Sequence, residues 1–152
     1  MKELKISLFK EKNTLDFGRK LSDCLTEGLL IFLKGELGAG KTTLVRGLIK
    51  GLGYKGTVKS PTYSLFEQYK FTRFNLNHFD LYRFNSSNEW IFSGFQEYIN
   101  SLDVTLIEWP ERSSEILPKP DLEIELFYEN EGRIINIISL TEKGKKCLEN
   151  LS

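Results

Sequence analysis

A three-layer α/β/α fold, with a parallel core sheet extended by antiparallel edge strands, is predicted by three features of this chain. Two continuously apolar runs, Leu29 to Leu33 and Val104 to Ile107, have the composition of strands buried on both faces. The first leads through a glycine-rich stretch into a segment with Leu44, Leu48 and Leu52 on one helical stripe. Strand, glycine turn, helix and second strand in that order are the pattern of a parallel α/β core.

The remaining elements follow from local pattern. Leu4, Ile6 and Leu8 alternate with polar residues and predict a short strand. Asn13-Thr14 offers a helix N-cap, Leu15, Leu21, Cys24 and Leu25 follow at helical spacing, and Gly28 closes the segment. The helix after the glycine stretch is expected from Thr42 to Leu52, with Gly53 as its stop. Tyr63 to Phe66 and Tyr69 to Phe74 predict a hairpin, with Leu76 to Tyr82 returning as another strand. Asn85 to Asn88 reads as a turn capping a helix that runs to about Asn100. Pro110, Pro118 and Pro120 punctuate a loop. Leu122 to Tyr128 and Arg133 to Leu140 predict two late antiparallel strands, turning at Glu129 to Gly132 and extending the sheet at an edge. A short helix from Glu142 follows.

The 152 residues fit a single domain, 1–152. Twenty-one basic residues cancel twenty-one acidic ones, so the chain exerts no general pull on nucleic acid or anionic lipid. Service to nucleic acid would run through a local patch or a partner. Cys24 and Cys147 lack metal-type spacing and are expected as two separate small hydrophobes, with no structural disulfide in a cytosolic chain. The longest apolar run falls far short of the roughly 20 residues a membrane span needs. The first five residues alternate charged and apolar, unlike a signal peptide. A cytoplasmic protein with no membrane partner is expected.

The pattern G-x-x-x-x-G-K-[ST] is complete from Gly35 to Thr42. Its glycines allow a tight turn that aims several backbone N–H groups at phosphate oxygens. The following helix adds its positive dipole end. Lys41 is placed to reach the β- and γ-phosphates, and the Thr42 hydroxyl to ligate Mg2+. Gly38, Ala39 and Gly40 form the loop itself. A chance match is expected on the order of once in a few hundred chains of this length, and the strand-before, helix-after context sharpens it. The fold class is thereby narrowed to a P-loop NTPase holding a nucleoside triphosphate with Mg2+.

Mg2+ and the attacking group call for carboxylates near the phosphates. Glu108 ends the more apolar strand and Asp80 ends the more polar segment Leu76 to Phe79; both are expected on the metal side. His78, the single histidine, reads as a structural strand residue. Trp109 is either packing or an aromatic surface for a partner or base. Arg83 and Arg112 are expected in surface salt bridges. The hydroxyl cluster Ser60-Pro61-Thr62-Tyr63-Ser64 is either a switch that senses the γ-phosphate or a proline turn leading into a strand.

Five motifs occur in a distinctive order: GELGAGKTT (Gly35 to Thr43), VRGL (Val45 to Leu48), SPTYSL (Ser60 to Leu65), HFDLYR (His78 to Arg83) and IEWPER (Ile107 to Arg112). Together they resemble the TsaE family of bacterial ATPases, also called YjeE, from about Thr14 to Arg133. The resemblance implies an ATPase needed to form N6-threonylcarbamoyladenosine (t6A) at position 37 of tRNAs reading codons that begin with A. In that family a separate enzyme makes threonylcarbamoyl-AMP, and a TsaB–TsaD pair transfers the group. TsaE docks on the pair and hydrolyses ATP, which resets the complex between cycles; tRNA is reached only through the complex.

Carried over by position, the resemblance implies phosphate and Mg2+ binding by Lys41 and Thr42, and a phosphate contact from Thr43. Glu108 matches the Walker B acid and Asp80 the second acid, so Lys41, Asp80 and Glu108 are the implied catalytic set. Thr42 and Glu108 are the implied metal ligands. Thr62 matches the switch segment, Trp109 belongs to the signature, and the nucleotide site also draws on Glu11 and Gly132. The stretch Trp90 to Tyr98 departs from the family, with Ser93 and Phe95-Gln96 where a leucine and an acidic pair usually stand.

A small-molecule kinase would share the loop and Mg2+ but usually needs an arginine-bearing lid, and Tyr82 to Leu102 contains only Arg83. A GTP-dependent switch protein commonly carries Asn-Lys-x-Asp, which does not occur here. A nucleotide-binding regulator without catalysis is disfavoured by the two acids.

Overall fold

The computed structural model describes residues 2–151. They form β1 (Glu3–Leu8), α1 (Glu11–Ser22), β2 (Leu30–Gly35), α2 (Lys41–Gly51), β3 (Phe66–Lys70), β4 (Asn75–Asp80), α3 (Asn88–Phe92), β5 (Val104–Glu108), β6 (Leu122–Glu129), β7 (Gly132–Ser139) and α4 (Glu142–Leu151). Short 3-10 turns at Phe95–Tyr98 and Pro110–Ser113 flank β5. The seven strands make one sheet in the order β1-β7-β6-β2-β5-β4-β3. Strands β6, β2, β5 and β4 run parallel, while β7, β1 and β3 join antiparallel.

Alternation along the central strands divides the core in two. Ile31, Leu33, Val104 and Leu106 face α1, α2 and α4, where Phe17, Leu21, Leu44, Leu48 and Leu148 cover them. Leu30, Phe32, Phe79 and Ile107 face the opposite way, against Leu81, Phe84 and Trp90. A strand with apolar residues at both parities buries both faces, which is why the two apolar runs were legible as central strands. The three-layer α/β fold with a parallel core is therefore observed.

Several expectations need correction. The late strands were expected to extend the sheet antiparallel; β7 does so, but β6 pairs parallel with β2, Ile31 opposite Leu122, and belongs to the core. Asp121 anchors it there, accepting from the Leu30 N–H at 2.8 Å and the Thr141 hydroxyl at 2.6 Å. Helix α1 begins earlier than Asn13: Lys10 is the N-cap, and Asn13 reaches back to accept from its N–H at 3.0 Å. The segment from Val58 to Arg83 makes one hairpin, β3 with β4, and not three strands; Tyr63 and Ser64 lie in a turn. The helix expected from Asn88 to Asn100 breaks at Gly94, which takes φ 73° and divides α3 from the 3-10 turn. Cys24 and Cys147 are not separate: they form a disulfide, S–S 2.11 Å, joining the end of α1 to α4. Among the described residues no helix is long and apolar enough to cross a membrane.

Helices α1 and α2 cross at two glycines. A β-carbon added to Gly47 would overlap the Leu15 carbonyl oxygen, and one added to Gly18 the Leu44 carbonyl oxygen. Backbone carbonyls cannot rotate aside as a side chain can, so this contact sets the depth at which α2 sits on the sheet. Gly47→Ala is expected to cost about 1–3 kcal/mol by overpacking, despite alanine's better helix propensity. The melting temperature should fall by about 3–10 °C; an unchanged or raised value would show that the helices can move apart freely.

Candidate active site

The register of the parallel strands assembles the site. Leu33 pairs with Glu108, and Glu108 with Asp80, so β2, β5 and β4 end in one row. Immediately beyond, residues 36–40 turn back into α2. Gly38 (φ 79°) and Gly40 (φ 106°) occupy the left-handed region, where a β-carbon is penalised. Gly40 is the N-cap of α2, and Lys41 its first residue.

The hairpin of β6 and β7 braces this loop from behind. The Tyr128 hydroxyl donates to the Leu37 carbonyl at 3.1 Å. The Arg133 guanidinium donates to the carbonyls of Ala39, at 3.1 Å, and Gly38, at 3.3 Å, while lying over the Tyr128 ring. Occupying loop carbonyls from one side leaves the loop's N–H groups as the polar surface presented to a ligand.

A cleft of about 210 Å3 is lined by Leu37, Gly38, Gly40, Lys41, Thr42, Thr43, Thr62, Asp80, Glu108 and Trp109. The structure thus brings together nearly every residue singled out from the sequence. The Lys41 ammonium donates to the Gly35 carbonyl at 2.5 Å and lies 3.8 Å from the centroid of the Trp109 ring. Burial holds Lys41 below the ordinary lysine value, against the opposing pull of the Glu108, Asp80 and Glu111 carboxylates. Trp109 itself has φ 56°, an uncommon backbone state for a bulky residue, and its ring also packs on Tyr82 at 4.9 Å. Its ring is therefore engaged by Lys41 and Tyr82, beyond simple core packing.

The two acids have different surroundings. Asp80 accepts from the Thr62 hydroxyl at 3.0 Å and the Tyr82 N–H at 2.9 Å. Burial raises it above the ordinary carboxylate value; the Tyr82 and Thr62 hydrogen bonds and His78 oppose that rise, while the Glu108 charge adds to it. Glu108 is 3% exposed, and its Oε2 lies 2.6 Å from His78 Nε2. Thr62 also meets the Ser60 hydroxyl at 2.9 Å, so the segment from Ser60 folds over Asp80. The proline turn is observed, with the Leu65 N–H donating to the Pro61 carbonyl at 2.7 Å, and it is linked to the acid as well.

Glu11 and Gly132 lie apart from this cleft. With Gly38, Gly40, Thr43 and Arg133 they line an adjoining cavity of about 350 Å3 on the other side of the loop. Glu11 pairs there with Arg46 at 3.7 Å. Arg83 and Arg112 were expected in salt bridges; instead each stacks on a tyrosine, Tyr63 and Tyr82 respectively. His78 and Arg133 were the residues sequence reasoning missed. His78 sits two positions before Asp80, hence on the same sheet face, a period-two signal that was available. Arg133 contacts a loop 94 residues away, for which no local signal exists.

Among the described residues no cluster of three or more His, Cys, Asp or Glu could hold a metal ion alone. The Thr42 hydroxyl and the Asp80 and Glu108 carboxylates in the cleft suit Mg2+, which binds through one or two protein oxygens together with substrate phosphates.

Asp80 is buried at a cost in the nucleotide-free protein, so Asp80→Asn should raise the melting temperature near neutral pH. The sign follows from the raised value: the folded state holds this proton more tightly than the unfolded chain, so ionisation penalises folding as pH rises through the carboxylate range. The gain from Asn should shrink as pH is lowered from neutral through the carboxylate range. A fall in melting temperature at neutral pH would contradict this.

Comparison with known proteins follows the same lines. A family model described as "Threonylcarbamoyl adenosine biosynthesis protein TsaE" matches residues 8–135. A protein of Haemophilus influenzae named "tRNA threonylcarbamoyladenosine biosynthesis protein TsaE" is 40% identical over 147 residues, covering 93% of each chain. One of the same name from Rickettsia typhi is 37% identical over 133 residues, covering 86% of this chain and 92% of that protein. The crystal structure of Bacillus subtilis YdiB superposes with a TM-score of 0.85 at 27% identity, covering 99% of this chain and 94% of that one. With its motifs, its sheet order and its cleft accounted for, the chain belongs to the TsaE family.

Proposed function

We propose that this chain is a Mg2+-dependent ATPase of cytoplasmic t6A synthesis, hydrolysing ATP while docked on a TsaB–TsaD pair. The carrying observation is the convergence of Lys41, Thr42, Asp80 and Glu108 on one cleft in a chain of this family. The loop N–H groups and the N-terminus of α2 hold the phosphates. Lys41 leaves the Gly35 carbonyl and the Trp109 ring to meet the β- and γ-phosphates, and Thr43 adds a contact. Thr42 and Glu108 hold Mg2+, which when bound neutralises charge on the β- and γ-phosphate oxygens. Asp80, with its carboxylate oriented by Thr62 and Tyr82, is placed to orient the attacking water. Because Thr62 joins Asp80 to the Ser60–Leu65 segment, closure of that segment and hydrolysis are coupled, as in switch loops. Glu11 and Gly132 border the nucleoside end of the site, and Trp109, released by Lys41, offers its ring to the partner or a base.

ATP turnover resets the TsaB–TsaD complex between cycles, and tRNA is engaged only through that complex. A small-molecule kinase remains the competing assignment. It is disfavoured because Arg83, the single basic residue between Tyr82 and Leu102, stacks on Tyr63.

Phosphate release from ATP should be slow for the chain alone and clearly stimulated by TsaB–TsaD; transfer of phosphate to a small metabolite without such stimulation would overturn the assignment. Lys41→Ala and Glu108→Ala should each lower turnover about 100-fold or more. Both should abolish support of t6A formation, measured as the modified nucleoside by mass spectrometry. Normal t6A with Glu108→Ala would remove Glu108 from catalysis.

A further inference from the structure

His78 is the chain's single histidine and is 1% exposed. Its Nε2 contacts Glu108 Oε2 at 2.6 Å, and its Nδ1 is buried without a hydrogen-bond partner among the described residues. A proton on Nδ1 would be a buried donor with nothing to meet, whereas a proton on Nε2 is donated to the carboxylate. The ring is therefore a one-sided donor aimed at Glu108.

The placement explains why such a donor is needed. Glu108 ends β5, and the next residue turns into the left-handed region. Neighbouring Asp80 is already committed to Thr62 and Tyr82. Without His78 this three-torsion side chain would face the cleft beside Lys41 and Asp80 with its rotamer unselected, and ordering it during turnover costs entropy. His78 stands opposite Leu106 in the β4–β5 ladder, one diagonal step from Glu108, on the same face.

We propose that His78 is a positioning residue for Glu108: its Nε2–H takes up Oε2 and fixes the carboxylate, so that the remaining oxygen is presented to the cleft. This rests on the reading of Glu108 as the acid that serves Mg2+ and hydrolysis.

One histidine gives one set of imidazole signals, so the pair can be read without turnover. In the 15N-labelled nucleotide-free protein the Nε2-protonated form is expected, and Glu108→Gln should shift the ring signals. Ring signals unmoved by Glu108→Gln would overturn the pairing. His78→Leu, checked for folding by its melting temperature and amide spectrum, should lower kcat for ATP about 10- to 100-fold. Nucleotide Kd should stay within about threefold. His78→Gln, whose amide can donate from near the Nε2 position, should recover most of the rate. On a Glu108→Ala background His78→Leu should cost nothing further; a full, additive loss there would overturn the proposal, as would unchanged kcat in His78→Leu. Normal turnover by Glu108→Ala would instead sink the hydrolytic role of Glu108, while the ring signals still decide whether the pair exists.

Discussion

Parallel pairing holds Leu33, Glu108 and Asp80 in one row across β2, β5 and β4, and the chemistry of the cleft depends on that row. In an open parallel sheet the strands all end on the same edge, and ligands collect in the crevice beyond those ends. Here β2 delivers the glycine loop, while β5 beside it and β4 one strand further deliver the carboxylates. A register slip of one residue in β5 or β4 would turn its acid to the opposite face, into the aromatic cluster around Phe79 and Trp90. The packing that keeps each strand in register therefore also keeps the site.

Two buttresses make the row usable. On one side Gly18 and Gly47 let α1 and α2 meet backbone to backbone, which fixes the N-terminus of α2 against the loop. On the other side Tyr128 and Arg133 tie down loop carbonyls. The cleft between them concentrates buried charge. Desolvation disfavours both the Lys41 cation and the Asp80 anion. Lys41 rests between the Gly35 carbonyl and the Trp109 ring.

Much of this was legible in the sequence. Central strands, glycine loop and α2 carry strong local signals: buried apolar runs, a fixed motif and a leucine stripe. Glu108 and Asp80 were singled out because each ends a predicted strand, and both line the cleft. Other features depend on contacts far apart in sequence. The parallel insertion of β6 beside β2 is decided by Asp121, whose partners lie at Leu30 and Thr141. Cys24 and Cys147 are 123 residues apart and meet only because α4 packs on the face that α1 covers. The partner of His78 is on the neighbouring strand, and those of Arg133 are carbonyls of the glycine loop, which neither residue's local sequence names.

The most direct measurement is a crystal structure with a non-hydrolysable ATP analogue and Mg2+. The phosphates should lie on the N–H groups of residues 38–43, with Lys41 moved off the Gly35 carbonyl and Trp109 onto the β- and γ-phosphates. The cation should sit between Thr42 and Glu108, and Glu108 should keep its bond to His78. A triphosphate bound elsewhere, or Lys41 still resting on Trp109 beside a bound analogue, would contradict the account.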